Sequence, residues 1–129
     1  MKPVPIRGLT IRPPWAELIA SGSKTIETRT WKTNFRGRIA IHESKVGRKP
    51  GRVIATAILS DVRAMTPEDE AAACCPYIPG RFAWVLTDVR RVRPIVMKGA
   101  LGLWNFPEAL LEADLERIRS ERADGDVVA

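Results

Sequence analysis

A chain of 129 residues, 45% hydrophobic and 28% charged, is enough for one folded domain with its own core and is not the composition of a disordered chain. No apolar run approaches the roughly 18 residues that span a bilayer, and Met1-Lys2-Pro3-Val4-Pro5-Ile6 lacks the apolar stretch of a leader, so a cytoplasmic location without a membrane partner is expected. The net charge of +6 is polarised: residues 1–52 carry 12 Lys and Arg against 3 Asp and Glu, whereas residues 53–129 carry 9 against 12. Such polarity fits an anionic partner, nucleic acid being the commonest, as well as it fits solubility alone.

In chain order, Gly8-Leu9-Thr10-Ile11 alternates and reads as a first strand. A short helix over Pro13–Gly22 follows, with proline tolerated in the first turn, Trp15, Leu18 and Ile19 on one face, and Gly22 at its C-terminal end. Arg36-Gly37 leads into a strand over Arg38–His42, and Pro50-Gly51 into a longer one over Val53–Val62 that is rich in β-branched residues. Thr66-Pro67-Glu68-Asp69 has a capping threonine, a proline at the first helical position and early acids, predicting a short helix through Ala73. Pro76, Pro79 and Gly80 break it before a strand over Phe82–Val89, which Arg90–Arg93 extends. Pro107 starts a last helix, to about residue 122, with Leu111, Leu115 and Ile118 stacked and a frayed tail from Ala123. Strands dominate, with helices at the start, middle and end. That order predicts a single α+β domain over 1–129, a small β-barrel decorated by short helices and closed by a C-terminal one.

The cysteines, Cys74 and Cys75, are adjacent and do not form a structural staple; with the lone His42 they fall short of the four converging ligands of a zinc site. Neither a metal nor a cofactor is expected. The chemistry concentrates instead on Gly22-Ser23-Lys24-Thr25-Ile26-Glu27-Thr28-Arg29. If Glu27–Arg29 is a strand, Glu27 and Arg29 project to one face and Lys24 reaches them from the turn. A lysine, a carboxylate and a guanidinium brought together can bind phosphate, pair with a base edge or move a proton. They can also form a surface ion-pair cluster of little energetic consequence.

Trp15, then Gly22-x-Lys24-x-x-Glu27-x-Arg29, Trp31 and Arg36-Gly37-Arg38-Ile39-Ala40-Ile41, resembles the ASCH family, small domains related to the PUA fold. The likeness continues through Val53-Ile54-Ala55-Thr56-Ala57 and Phe82-Ala83-Trp84-Val85-Leu86, covering most of residues 8–106. The resemblance implies a PUA-like barrel with a basic cleft that binds RNA or a modified nucleoside or nucleotide. It also implies an alternative, a metal-independent hydrolase acting on RNA or on an N-acylated nucleoside, since one bacterial branch removes the acetyl group of N4-acetylcytidine. In that branch a lysine, a threonine and a glutamate carry the reaction. Lys24 matches the lysine, Glu27 stands where the threonine falls, and Glu68 to Glu70 lie in the region of the third residue. A carboxylate does not replace a hydroxyl nucleophile without changing the mechanism.

The candidate binding residues are thus Lys24, Glu27, Arg29, Trp31, Arg36, Arg38, Ser44 and Lys45, with Lys24 and Glu27 as a candidate acid–base pair helped by His42. Trp31 and Phe35 among Arg29, Lys32, Arg36 and Arg38 suit stacking on bases, or Trp31 covers the barrel mouth. Trp15 and Trp84 belong to the core, while Trp104 lines the cleft or packs under the last helix. Lys98-Gly99 forms a loop that approaches a ligand, or only a turn.

Overall fold

The computed structural model describes residues 5–111. Six strands form one sheet: β1 (Arg7–Ile11), β2 (Ile26–Arg29), β3 (Gly37–Glu43), β4 (Arg52–Ala64), β5 (Phe82–Val96) and β6 (Leu103–Asn105). Their order is β2-β5-β4-β3-β1-β6, with β1 and β3 parallel and every other pair antiparallel. The sheet curls, and its ladder stops at β2 on one side and β6 on the other. The expected barrel is therefore a half-barrel.

The curling has a local cause. The β4–β5 ladder shifts register three times and the β3–β4 ladder once, and each such irregularity bends and twists its strand. Leu9, Ile11, Ile39, Ile41, Trp84 and Leu86 gather on the concave side. Helix α1 (Trp15–Ala20) plugs that side with Ala16, Ile19 and Ala20, three buried positions at the i, i+3, i+4 spacing of one helical face. Burying such a set is what holds a six-residue helix, which would not persist alone.

Two differences from the sequence expectation have plain reasons. β5 runs on through Pro94 to Val96 because this end pairs only with β4; Pro94 falls in an irregular stretch between the paired Arg91 and Ile95, where its missing N–H breaks no ladder bond. β6 was not expected at all: three residues between Gly102 and Pro107 are too few to show alternation. Of the predicted C-terminal helix, Glu108–Leu111 forms a single 3-10 turn with Leu111 buried against Ile6 and Phe106, and the remainder lies outside the described residues. No helix among the described residues is long and apolar enough to cross a membrane.

Candidate functional site

The turn after α1 sets the position of Lys24. Gly22 adopts a φ of +86°, where a side chain would be strained, and its N–H donates to the Ile19 carbonyl. The chain folds back so that the Lys24 N–H reaches the Leu18 carbonyl at 3.0 Å. Lys24 then points inward and is 2% exposed. An ammonium so far from water needs partners. Its Nζ donates to the carbonyl of Ala73, lies 3.7 Å from Glu27 Oε1, and stands 5.2 Å from the centre of the Trp15 ring.

Ala73 is the last residue of α2 (Glu70–Ala73), and a final helical carbonyl has no partner within its own helix. Lys24 supplies one. The 3-10 turn Pro67–Asp69 that precedes α2 is fixed by Asp69, which accepts from Thr66 N–H at 2.8 Å and from the two Nη groups of Arg63 at 2.7 and 2.9 Å. Arg63's hydrogen bonds, followed by that from the Thr66 backbone, hold the Asp69 carboxyl well below the usual range.

β2 places Glu27 and Arg29 on one face, as their spacing predicts. Arg29 grips Glu27 Oε2 through Nε at 3.1 Å and Nη2 at 2.9 Å, while Glu27 Oε1 accepts the Thr28 N–H at 3.2 Å. Arg29 Nη2 also donates to the Thr10 carbonyl at 2.9 Å. That bond crosses the opening of the half-barrel from β2 to β1, so one side chain ties together strands that the ladder leaves apart.

These groups line a cavity of about 750 Å³. Five cationic side chains, Arg12, Lys24, Arg29, Lys45 and Arg81, face a single carboxylate, Glu27. Trp15 and Trp31 add aromatic wall, and Trp31 is braced edge-on against the buried Trp84, whose Nε1 donates to the Trp31 carbonyl at 3.2 Å. Ser44 and the exposed Lys45 also line it. Lys24, Glu27, Arg29, Trp31, Ser44 and Lys45 thus line one cavity.

The other expected residues lie elsewhere. Arg38 is tied to Asp88 Oδ2 at 2.5 Å and to Thr56 Oγ1 at 2.9 Å, and Arg36 folds onto the Thr33 and Phe35 carbonyls at 2.8 Å; neither lines the cavity. None of the acids Glu68 to Glu70 lines it either: Asp69 holds Arg63, and Glu70 accepts the Tyr77 N–H at 2.6 Å. Trp104 packs on Phe106 and donates to Thr10 Oγ1 at 3.2 Å, under the C-terminal segment rather than in the cleft.

His42 lines a second cavity, of about 720 Å³, that adjoins the first through Thr10, Ser44, Lys45, Ala100 and Leu101. The ring is 2% exposed, and its Nε2 lies 2.8 Å from the Met97 carbonyl, which only accepts, so Nε2 carries the proton. Arg12, Arg81, Ile78 and Cys75 were missed as lining residues of the first cavity. Arg12 and Arg81 each sit just outside a strand end, a signal too common to single them out. Both cysteines are free thiols, and among the described residues no group of three or more His, Cys, Asp or Glu is placed to hold a metal.

The family model of the ASCH domain matches residues 9–96. The crystal structure of ASCH from Zymomonas mobilis superposes with a TM-score of 0.68 at 20% identity, covering 86% of this chain and 94% of that one. A tyrosine-to-phenylalanine mutant of the same Zymomonas protein superposes with a TM-score of 0.67 at 18% identity, covering 86% and 96%. No curated protein sequence matches the chain.

Proposed function

The chain belongs to the ASCH domain family, and from that footing we propose that the Lys24 cavity binds single-stranded RNA, holding a base against its tryptophan walls and a phosphate on its cations. The observation that carries this reading is the five-to-one excess of cations over carboxylates around a concave site with two aromatic walls. Phosphate attracts such a site, and a base supplies the face that an aromatic ring can cover.

Glu27 takes part by orienting its neighbours. It fixes the guanidinium of Arg29 through Nε and Nη2, which leaves Nη1 without a protein partner among the described residues and free to meet a phosphate oxygen. Lys24 adds buried charge at the floor, where fewer waters screen it. Short single-stranded RNA titrated at several salt concentrations tests the reading. Binding should weaken with salt, with a slope of about −0.7 per phosphate contacted, and Arg29→Ala should weaken binding and flatten the slope. Equal affinity and slope for the wild type and Arg29→Ala would remove the proposal.

The pairing of Lys24 Nζ and Glu27 at 3.7 Å supports a second reading, a metal-independent hydrolase of RNA or of an N-acylated nucleoside with these two as acid and base. His42, one cavity away, then acts through the loop it supports. N4-acetylcytidine and RNA, each incubated with chelator, should give product that a Glu27→Gln variant does not. Equal product from both would exclude Glu27 as the base.

A further inference from the structure

We propose that the second cavity holds the next nucleotide of the same strand, so that the ligand is an oligonucleotide of at least two residues and not a free nucleoside; this rests on the reading of the first cavity as an RNA site. The two cavities adjoin, both being lined by Thr10, Ser44, Lys45, Ala100 and Leu101. Each has the volume of a small-ligand site. They differ in chemistry, as successive parts of one strand require. The first is strongly polar at its floor. The second is walled by Pro50, Val96, Met97 and Leu101, with Lys45, Arg48 and Lys98 as its cations and no Asp or Glu among its lining residues.

Apolar walls carrying only positive charge match a base face attached to a phosphodiester, because every base has a flat apolar face whatever its edge. Leu101 is 99% exposed and belongs to both cavities, which places bare apolar surface where adjacent bases would cover it.

His42 holds this arrangement in place. Its Nε2 donates to the Met97 carbonyl, and the backbone at Gly51 and Gly99 lies directly on the ring. A Cβ at Gly99 would come within 2.3 Å of Thr10 Oγ1 and 2.7 Å of His42 Nδ1, so only glycine lets the segment from Met97 to Gly102 settle there. Among the described residues Nδ1 itself is buried without a hydrogen-bond partner. His42 is therefore a positioning residue for the wall common to both cavities.

The test compares binding of a nucleoside 5′-monophosphate and a 5′-phosphorylated dinucleotide to the wild type and to an Arg48→Ala/Lys98→Ala variant, two exposed positions that line only the second cavity. The wild type should bind the dinucleotide about tenfold more tightly than the monophosphate. The double variant should lose most of that gain while keeping its affinity for the monophosphate. Equal wild-type affinity for the two ligands would overturn the second subsite and leave the first cavity's reading intact. A gain that survives the double variant also overturns it, since the extra nucleotide then lies elsewhere. Failure of both ligands to bind would overturn both readings.

Discussion

Arg29 and Arg38 occupy similar surroundings in the sequence, each in a basic stretch beside aromatic residues, yet the fold gives them different work. Arg38 on β3 spends its donors on Asp88 and Thr56, and its charge is answered by the Asp88 carboxylate, which Arg90 Nε also reaches at 3.4 Å. Arg29 on β2 shares one carboxylate with the buried Lys24 and keeps a donor in hand at the edge of a cavity. A basic residue contributes to an anion site to the extent that the fold leaves its donors unspent. Charge counting along the chain cannot show this, because Asp88 and Thr56 are 50 and 18 residues away from Arg38.

The sharpest way to break this contrast is to remove the shared carboxylate. Glu27→Ala leaves a buried ammonium and a guanidinium without their counter-charge, and should cost about 3 kcal/mol of stability, since breaking a buried pair typically costs 3–5 kcal/mol. The unfolding midpoint should fall by roughly 10 °C. A urea unfolding curve close to wild type would show that Lys24 is not held in the way described.

Next in size is Arg38→Ala. Loss of a partly buried, charge-assisted hydrogen bond should cost about 2 kcal/mol in the same experiment. Affinity for single-stranded RNA should stay within about twofold, whereas Arg29→Ala weakens it by roughly tenfold, or about 1.4 kcal/mol. Equal losses of binding in the two variants would erase the distinction between the strands.

The smallest effect concerns the support beneath Lys24. Asp69→Asn weakens the cap that precedes α2 and should cost about 1 kcal/mol at neutral pH. The Asp69 carboxyl titrates in the folded state well below its ordinary value, so the folded protein favours the charged form. Its contribution is complete above the unfolded value near pH 4 and is lost as pH falls toward the lowered folded value. The gap between wild type and Asp69→Asn should therefore narrow in acid. Unfolding at pH 7 and again at pH 3 checks this, and an unchanged gap would place the stabilisation elsewhere.

Much of the fold was legible because local rules and tertiary packing agree. Ile39 and Ile41, alternating along a strand, read the same in sequence and in structure. Of the expected helix face Trp15, Leu18 and Ile19, however, only Ile19 is fully buried, with Ala16 and Ala20 beside it and Trp15 and Leu18 half-buried. β6 could not be seen in this way. Its Leu103-Trp104-Asn105 has no period of its own and pairs with Leu9, Gly8 and Arg7 because Gly8 leaves room for the Trp104 indole; a Cβ there would lie 2.4 Å from the ring. That glycine and that tryptophan are 96 positions apart.

The sequence by itself determined the ion cluster. The period of two along a strand aligns Glu27 with Arg29, and a glycine-ended helix delivers Lys24 beside them, all within eight residues. The tertiary structure decided which of the remaining candidates share a site. It set Trp31, Ser44 and Lys45 beside the cluster, gave Arg38 to Asp88, and placed His42 in the adjoining cavity beneath Gly51 and Gly99. The reason is reach. Neighbours along a strand or turn are set by backbone geometry that local sequence encodes, whereas a cavity is assembled by register and curl between strands far apart in the chain.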